Sequence, residues 1–443
     1  MKKISIIMPV YNGKEFIGES IKSILNQTYK NFEFIIINEY GSNDGCKQII
    51  EKYAERDNRI ILIQNTKREG IAESLNIGIR NATGEYIARM DADDISLPKR
   101  LEVQYNYLEE HQDIGLCGIQ PTFFGTQEMN WNVSLDSNFI KHAIFFYSPC
   151  VHPTIMFRKS IIEEHKIYYN KKYTASEDYD FLAKFAKVSL IDNINDPTLF
   201  KYRLHSSNAT NTQNNIGLVN YSEIMDSLFK SELKLNFSKE EIELLNCHVS
   251  LNKFIGKELL ENYIKLDILL KKILVASFYS SKYDVNMMFN VLKKRFYEAK
   301  NTLENKNDKE YGELINFYLS TSIFNYNDFS SEFIIEKVKN HHPKISVLLP
   351  VYNSEDYILD SLLSIIHQDF KDFEIIILYE YVPSSFSITS DNVPLVPLFT
   401  VILSAVNPST FSENVNVYSI SSLFVIESTS FVSIVIIGAV VSA

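Results

Sequence analysis

The chain has 443 residues, of which 45% are hydrophobic and 22% are charged, and its formal net charge is −11. A chain of this length exceeds what one hydrophobic core usually holds, so two or three folding units are expected. Nucleic-acid binding needs clustered Lys and Arg against phosphates, so the acidic balance argues against that class of partner. The four cysteines lack the paired spacing of a zinc site or a disulfide framework, which favours a reducing compartment.

The N-terminal half alternates between strand and helix patterns. A short β-branched run at 4–8 ends in a Pro-Val-Tyr-Asn-Gly turn, which predicts a buried first strand. The apolar spacing then predicts, in order, a helix over about 14–26, a strand over 32–38, a helix near 45–55, a strand over 60–63, a helix near 71–81 and a strand over 85–90. Such alternation predicts an α/β fold with a mostly parallel sheet covered on both faces. Ligands bind beyond the carboxyl ends of such strands, so functional residues are expected in the loops at 9–13, 38–45 and 91–96.

The rest of the chain predicts three further segments after a first domain over 1–215. Long amphipathic stretches predict a helical region over 216–342. The N-terminal segment then returns, in register and identical at about half its positions, over 343–381, which predicts a truncated second copy of the first domain. The last segment, 382–443, contains no Lys, Arg or His and is interpreted as an atypical apolar tail. Its final 21 residues raise the question of a membrane helix, against which Glu427 and several Ser argue.

Three carboxylates follow the strand predicted over 85–90, at Asp91, Asp93 and Asp94. Like charges this close together are unfavourable without a cation. Mn²⁺ or Mg²⁺ prefers carboxylate oxygens and often takes its remaining ligands from substrate phosphates, so a divalent metal site is predicted. The alternative is that Asp94 caps the next helix and the other two are solvated, but the position after a buried strand favours function.

A second acidic group, at Glu177, Asp178 and Asp180, precedes an apolar helical run. The structural interpretation is a helix N-cap with acids in the first turn. A carboxylate at this place could also act as a general base.

Five segments, taken together, carry a resemblance to a known family: MPVYNG, GSND, GEYIARMDADD, HPTIMFRK and SEDYDF. In their order and spacing over about residues 1–210, they look like family 2 glycosyltransferases of the GT-A fold. The resemblance implies that Pro9, Val10 and Tyr11 line the nucleoside pocket. It also implies that Asp91 and Asp93 form the DxD motif, with Asp93 the metal ligand that holds the donor diphosphate.

The resemblance implies further roles near the end of the domain. Asp178 would be the catalytic base. Arg203 and His205 resemble a late motif that closes over the diphosphate, and His205 is assigned to the metal because neutral imidazole is a common ligand. One departure from the family pattern concerns recognition of the nucleotide base. Relatives usually carry Asp-Asp-Gly-Ser where this chain has Glu39-Tyr40-Gly41-Ser42. The Glu39 carboxylate can still accept a hydrogen bond from an N–H of the nucleotide base, so Glu39 is assigned to donor binding.

The resulting hypothesis is an inverting transfer of a sugar from a nucleoside diphosphate sugar, with a UDP-sugar as the first expectation. The acceptor would be a hydroxyl of a carbohydrate or a lipid-linked molecule, in bacterial surface polysaccharide or glycolipid synthesis. The sequence predicts a cytoplasmic enzyme, because the apolar run at its start is too short for a secretory signal. Peripheral association with the inner membrane face is also considered.

Two alternatives stay open. A sugar nucleotidyltransferase also uses metal-bound phosphates, but it would need a Gly-rich, basic loop after the first strand, which MPVYNGKEF does not supply. A non-catalytic nucleotide-sugar-binding protein would suit the altered Glu39-Tyr40 pair and the truncated second copy, although the intact acidic motifs argue against it.

Overall fold

The computed structural model describes residues 1–126, 132–205, 214–246, 251, 254, 256–304, 345–351, 373–379 and 399–405. The chain divides into two compact units, one of residues 1–255 and 265–306 and the other of residues 256–264 and 307–443. Within the described ranges, no helix has the length and apolar character needed to span a bilayer.

The first unit is built on a mixed sheet of seven strands. The strands of this unit are β1 (Ile4–Val10), β2 (Phe32–Asn38), β3 (Ile60–Gln64), β4 (Tyr86–Arg89), β5 (Ile95–Ser96), β6 (Ile114–Ile119), β7 (Thr122–Gly125), β8 (Met156–Arg158), β9 (Leu190–Ile194) and β10 (Phe200–Leu204). The main sheet has the order β3-β2-β1-β4-β8-β6-β9, and β5, β10 and β7 form a small second sheet. In the main sheet β8 runs antiparallel to β4 and β6, and the other pairs are parallel.

Among the described residues, the helices that connect and cover these strands are α1 (Ile17–Leu25), α2 (Cys46–Ala54), α3 (Ile71–Asn81), α4 (Arg100–Glu110), α5 (Ser137–Ala143), α6 (Lys159–His165) and α7 (Glu177–Ala186). The predicted α/β class with a mostly parallel sheet is confirmed. The antiparallel β8 was not predicted, because its three residues are too few to show a periodic pattern.

The first strand is longer than predicted, since it continues through Pro9 to Val10. Proline can lie there because β1 pairs with β4 only as far as Ile7, opposite Arg89, so no neighbour on that side needs the missing N–H of Pro9. The opposite side of β1 keeps its pairing with β2 to the end, where Val10 lies opposite Asn38. The helix expected over 14–26 is correspondingly shorter and begins at Ile17.

The core lies between this sheet and its helices, and Gly78 shows how closely they pack. A Cβ atom on Gly78 of α3 would lie 2.4 Å from Cγ2 of Ile7 and 3.1 Å from Cδ1 of Ile37.

We expect Gly78→Ala to lower the free energy of unfolding by about 1–3 kcal/mol, since β1 would have to move. Urea unfolding measures the loss.

Gly18 of α1 is the matched control, because the nearest atom to its added Cβ would be the Tyr53 hydroxyl at 4.0 Å. Gly18→Ala should stabilise the protein by about 0.5–1 kcal/mol through helix propensity. Equal effects of the two substitutions would contradict the close packing of α3 on β1.

The helical region predicted over 216–342 is occupied by helices as far as the structure describes it. These are α8 (Asn214–Leu228), α9 (Lys239–Leu245), α10 (Gly256–Tyr279) and α11 (Val285–Glu304), with a π-helical segment at Phe229–Leu233 directly after α8. The part from 305 to 342 lies outside the described residues.

In the second unit the described strands are β11 (Ile345–Val351), β12 (Phe373–Tyr379) and β13 (Phe399–Ala405). β11 and β12 are parallel, with Ile345 opposite Phe373, which is the same register as Ile4 opposite Phe32 in the first unit. β13 pairs antiparallel with β12, so the atypical tail contributes a strand that the sequence did not predict. The domain boundaries and the truncated second copy stay predictions, and the final 21 residues lie outside the described ranges.

Candidate functional site

The three aspartates of the DADD segment lie together beyond the carboxyl end of β4. Asp91, Asp93 and Asp94 each place a carboxylate oxygen within 4.8 Å of the others. Oxygen ligands of this kind fit a hard divalent cation such as Mg²⁺ or Mn²⁺. The residues present therefore fit the metal that the sequence predicts.

Asp94 is the most buried of the three, at 1% exposure. Its Oδ1 accepts a hydrogen bond from the Arg203 backbone N–H at 2.8 Å, and its Oδ2 has no partner among the described residues. Burial, together with the charges of Asp91 and Asp93, raises the pKa of Asp94 well above its usual range. The alternative that Asp94 caps the next helix is wrong, because α4 begins at Arg100 with Lys99 at its N-cap.

Asp93 and His205 are brought together across 112 positions of the chain, with Nε2 of His205 2.9 Å from Oδ2 of Asp93. This contact forms because β10 runs antiparallel to β5, which pairs Phe200 with Ser96 just after the aspartate loop. Carboxylate oxygens suit Mn²⁺, and a neutral imidazole nitrogen is a common metal ligand. The assignment of both residues to a metal stays a prediction.

Arg203 holds the same loop from β10. Its Nε donates to the Asp93 carbonyl oxygen at 2.7 Å, and its guanidinium lies 4.5 Å from the ring centroids of Phe16 and Phe124. The side chain also pairs with Glu19 at 2.5 Å. Arg203 therefore positions the backbone of the aspartate loop, a contact that the sequence alone did not predict.

Arg89, the last residue of β4, is a buried cation that the sequence analysis missed. Its two terminal nitrogens each lie 2.6 Å from a different carboxylate oxygen of Asp91, and the residue is only 4% exposed. Burial raises the pKa of Asp91 to about 6, although Arg89 opposes that rise. The signal available in the sequence was a charged residue within the run predicted as a strand over 85–90.

Asp178 lies in the first turn of α7, which begins after Ser176. The predicted acids in this turn are present, and Ser176 is the N-cap residue of α7. Its hydroxyl makes no capping bond and donates instead to the carbonyl oxygens of Ala175 and Gly217. Oδ1 of Asp178 accepts the Tyr179 N–H at 2.8 Å.

Electrostatic interactions link Asp178 to the aspartate loop. Burial raises the pKa of Asp178, and the positive charge of Arg89 lowers it in part. In return, the negative charge of Asp178 contributes to the raised pKa of Asp91. The acidic turn of α7 and the loop after β4 therefore lie within electrostatic reach of each other.

His152, in the HPTIMFRK segment, lies in a short 3₁₀ turn before β8. Its Nε2 lies 2.8 Å from the Tyr169 hydroxyl. Burial and the nearby charge of Arg89 hold the pKa of His152 well below its usual range. His152 is therefore neutral, and its hydrogen bond to Tyr169 joins the turn before β8 to the segment before α7.

The residues predicted to line the nucleoside pocket differ in exposure. Tyr11 is 46% exposed, and the guanidinium of Arg68 lies 4.7 Å from the centroid of its ring. The Val10 side chain is buried in the hydrophobic core, so its predicted contact with a nucleoside would be made by its backbone. Pro9 precedes Val10 in β1 and lies opposite Ile37 of β2.

Glu39, the residue after β2 that departs from the family pattern, is buried, and its carboxylate accepts several hydrogen bonds. Its carboxylate accepts the backbone N–H groups of Tyr40 at 2.7 Å, of Glu69 at 3.1 Å and of Gly70 at 2.6 Å. Asn65 also donates to it at 3.3 Å. The carboxylate thus joins the loop after β2 to the start of α3, in addition to any role in donor binding.

We expect Glu39→Ala to lower the free energy of unfolding by about 1–3 kcal/mol, because the Glu69 and Gly70 N–H groups lose their acceptor. Tyr40→Ala is the control: Tyr40 is the next residue and is 54% exposed, so the change should stay within about 0.5 kcal/mol. Urea unfolding of both variants decides. A Glu39→Ala protein as stable as the wild type would contradict the bridging role.

The mixed sheet of mostly parallel strands, flanked by helices and with the aspartate loop beyond β4, is a fold of the GT-A type. The family model described as "Glycosyl transferase family 2" matches residues 5–169 and again 346–379. The chain belongs to glycosyltransferase family 2.

The relatives by sequence support this assignment. The "Uncharacterized glycosyltransferase" of Haemophilus influenzae is 37% identical over 48% of this chain and 68% of its own length. A glycosyltransferase of Methanocaldococcus jannaschii is 36% identical over 45% of this chain and 70% of its own. The "O-antigen biosynthesis glycosyltransferase WbnJ" of Escherichia coli is 33% identical over 46% of this chain and 80% of its own.

Among solved structures, S. aureus TarS 1-349 in complex with UDP-GlcNAc matches with a TM-score of 0.47 and 17% identity, over 68% of this chain and 91% of that chain. A longer TarS structure is matched over 54% of its length. A likeness this weak adds nothing to the family assignment.

Proposed function

We propose that this protein transfers a sugar from a nucleoside diphosphate sugar to a hydroxyl group, with inversion at the anomeric carbon. The proposal is supported by the family assignment and by the aspartate loop after β4, where three carboxylates lie within 4.8 Å of one another and His205 lies 2.9 Å from Asp93. Inverting transfer needs one group for the leaving diphosphate and another for the acceptor proton, and we assign these roles to the aspartate loop and to Asp178 in the first turn of α7.

The chemical step is a direct displacement. The acceptor oxygen forms a bond to the anomeric carbon as the bond from that carbon to the diphosphate oxygen breaks. The hydroxyl proton goes to the carboxylate of Asp178, and the diphosphate leaves with the bonding electron pair. Because attack and departure occur on opposite faces of the sugar, the configuration inverts.

Asp93 and His205 are the residues that would hold a divalent cation, and Asp91 would bind the donor. Such a cation, Mn²⁺ or Mg²⁺, would neutralise charge on the leaving diphosphate. Arg89 keeps Asp91 in a fixed orientation through its two 2.6 Å contacts, and Arg203 holds the Asp93 carbonyl. The loop is therefore fixed before a donor arrives.

The biological setting is a proposal by similarity. A relative named for O-antigen biosynthesis supports a role in surface polysaccharide or glycolipid synthesis. We propose a cytoplasmic reaction, with a lipid-linked acceptor bringing the enzyme to the inner membrane face. The UDP-sugar donor stays a prediction.

The function is tested by incubating the full chain with a panel of UDP-, GDP- and dTDP-sugars, with Mn²⁺, with Mg²⁺ and with EDTA. We expect release of the nucleoside diphosphate from one donor, stopped by EDTA. Pyrophosphate release from a nucleoside triphosphate and a sugar phosphate would instead support a nucleotidyltransferase. Donor binding with no turnover across a broad acceptor panel would support the non-catalytic alternative.

A further inference from the structure

Two aromatic rings lie against Arg203, the residue of β10 that donates to the aspartate loop. The guanidinium carbon of Arg203 lies 4.5 Å from the ring centroid of Phe16 and 4.5 Å from that of Phe124. Phe16 is the residue before α1 and Phe124 belongs to β7, so two distant segments of the chain supply the rings. We call these two residues the aromatic pair. A planar guanidinium is attracted to aromatic faces, and more strongly where water is excluded; the Arg203 side chain is only 15% exposed.

Strand pairing explains how Phe124 comes to lie beside Arg203. In the parallel ladder of β7 and β10, Phe124 lies opposite Arg203, and the next pair is Gly125 opposite Leu204. Side chains directly opposite each other on neighbouring strands are in contact. Gly125 has a φ of 123°, and a Cβ atom added there would overlap the Leu204 carbonyl oxygen. The close approach of β7 to β10 therefore depends on this glycine and places Phe124 against Arg203.

Phe16 contacts a second functional side chain as well. Its ring centroid lies 5.1 Å from that of His205, the residue directly after β10. Glu19, in the first turn of α1, pairs with the Arg203 guanidinium at 2.5 Å. The start of α1 thus contacts both of the side chains that β10 and the next residue direct toward the aspartate loop.

Three hydrogen bonds join this end of β10 to the aspartate loop. Nε of Arg203 donates to the Asp93 carbonyl oxygen at 2.7 Å, and the Arg203 backbone N–H donates to Oδ1 of Asp94 at 2.8 Å. Nε2 of His205 lies 2.9 Å from Oδ2 of Asp93. A long arginine side chain loses much rotamer freedom when it is held in one place. Rings that already restrict the guanidinium reduce that loss, so the loop is held more firmly with them than without them.

We propose that Phe16 and Phe124 are positioning residues for the cation site, which hold Arg203 and, through Phe16, His205 against the aspartate loop. The inference rests on the proposed function and deepens it, because it names the side chains that orient the cation ligands. Neither ring offers a ligand atom, so each acts only through Arg203 or His205. The effect of losing a ring is therefore expected in the affinity for the cation, before any donor or acceptor is bound.

The test uses the full chain with Phe16→Leu, with Phe124→Leu and with Phe16→Tyr, which keeps a ring. Phe123→Leu is the matched control, because successive residues of a strand point to opposite faces and the Phe123 ring lies beside Tyr202, with 5.5 Å between ring centroids. Gly78→Ala is a second control, since it disturbs the packing of α3 on β1. Binding of Mn²⁺ is measured by electron paramagnetic resonance, with Mn²⁺ alone and with Mn²⁺ and UDP. Urea unfolding gives the stability of each variant.

Phe16→Leu and Phe124→Leu should each raise the dissociation constant for Mn²⁺ by about 3-fold to 30-fold. Phe16→Leu should show the larger loss, because it removes contacts with both Arg203 and His205. Phe16→Tyr should restore the affinity to within about 2-fold of the wild type, since its ring offers the same face. Phe123→Leu and Gly78→Ala should bind Mn²⁺ as the wild type does, even where they lower the stability.

Mn²⁺ affinity in both leucine variants equal to that of Phe123→Leu would overturn the role of the aromatic pair. An equal loss of affinity in Gly78→Ala would do the same, because the loss would then follow stability alone. If Phe16→Leu does not fold, the comparison of Phe124→Leu with Phe123→Leu decides. Unaffected leucine variants together with weaker binding in Asp93→Asn would refute the aromatic pair and keep the cation site. A wild type that binds no Mn²⁺ under either condition would remove the cation from the proposed function, and the aromatic pair with it.

Discussion

Asp178→Asn is expected to reduce sugar transfer by about 10²–10⁴-fold while donor binding stays at the wild-type level. The amide has the size of the carboxylate but cannot accept the proton of the acceptor hydroxyl. Its neighbours should hold it in place, since Tyr179 can still donate its backbone N–H to the amide oxygen. The measurement pairs steady-state transfer with calorimetry of the nucleoside diphosphate.

Asp180→Asn is the matched control for that experiment. Asp180 lies on the same helix turn, but its Oδ2 pairs with Lys184 at 2.6 Å. Its substitution should change stability slightly and leave turnover close to that of the wild type. Undiminished transfer by Asp178→Asn, or an equal loss in Asp180→Asn, would remove Asp178 as the base.

Asp93→Asn is expected to remove the metal-dependent part of donor binding. In the wild type, Mn²⁺ should tighten binding of the nucleoside diphosphate. In the variant, one carboxylate charge of the group is lost and the contact with His205 is weakened, so Mn²⁺ should tighten binding at least about 10-fold less. Calorimetry with and without Mn²⁺ measures the difference.

The control for this second prediction is Asp113→Asn, which changes an exposed aspartate just after α4. It should bind the donor and Mn²⁺ as the wild type does. If Asp93→Asn kept the full effect of Mn²⁺ on donor affinity, the aspartate loop would not be the metal site. Transfer should fall in Asp93→Asn as well, whereas Asp178→Asn should lose transfer alone.

Much of the sheet could be predicted from the sequence, because buried parallel strands consist of nearly continuous apolar runs. β2 is the clearest case, since all seven of its residues are buried and its predicted and observed limits coincide. The short β8 could not be found in this way. Its three residues form a strand because they pair with β4 on one side and with β6 on the other, both antiparallel.

The site was predictable in its residue types and not in its contacts. Asp91 and Asp93 stand out in the sequence because they follow an apolar run, and Asp178 stands out because it precedes one. The pairing of His205 with Asp93 depends on how β10 folds back across 112 positions, which no local pattern encodes. The same holds for Arg89, whose importance comes from its burial beside Asp91.

Glu39 illustrates a different limit of sequence reasoning. Its position after β2 suggested contact with the nucleotide base, and that role stays a prediction. The structure adds that the carboxylate already accepts several N–H groups, including that of Gly70 at the start of α3 at 2.6 Å. A longer acid suits this bridge, because it reaches from one loop to the next.

The most direct test of the account is a crystal structure of the full chain with Mn²⁺ and the nucleoside diphosphate that it binds, using anomalous scattering to locate the metal. We predict a manganese peak at bonding distance from an Asp93 carboxylate oxygen and from the diphosphate, with the Asp178 carboxylate facing the same space across the anomeric position. A manganese ion bound elsewhere, or an Asp178 side chain shut off from the diphosphate by intervening protein, would contradict the proposed enzyme.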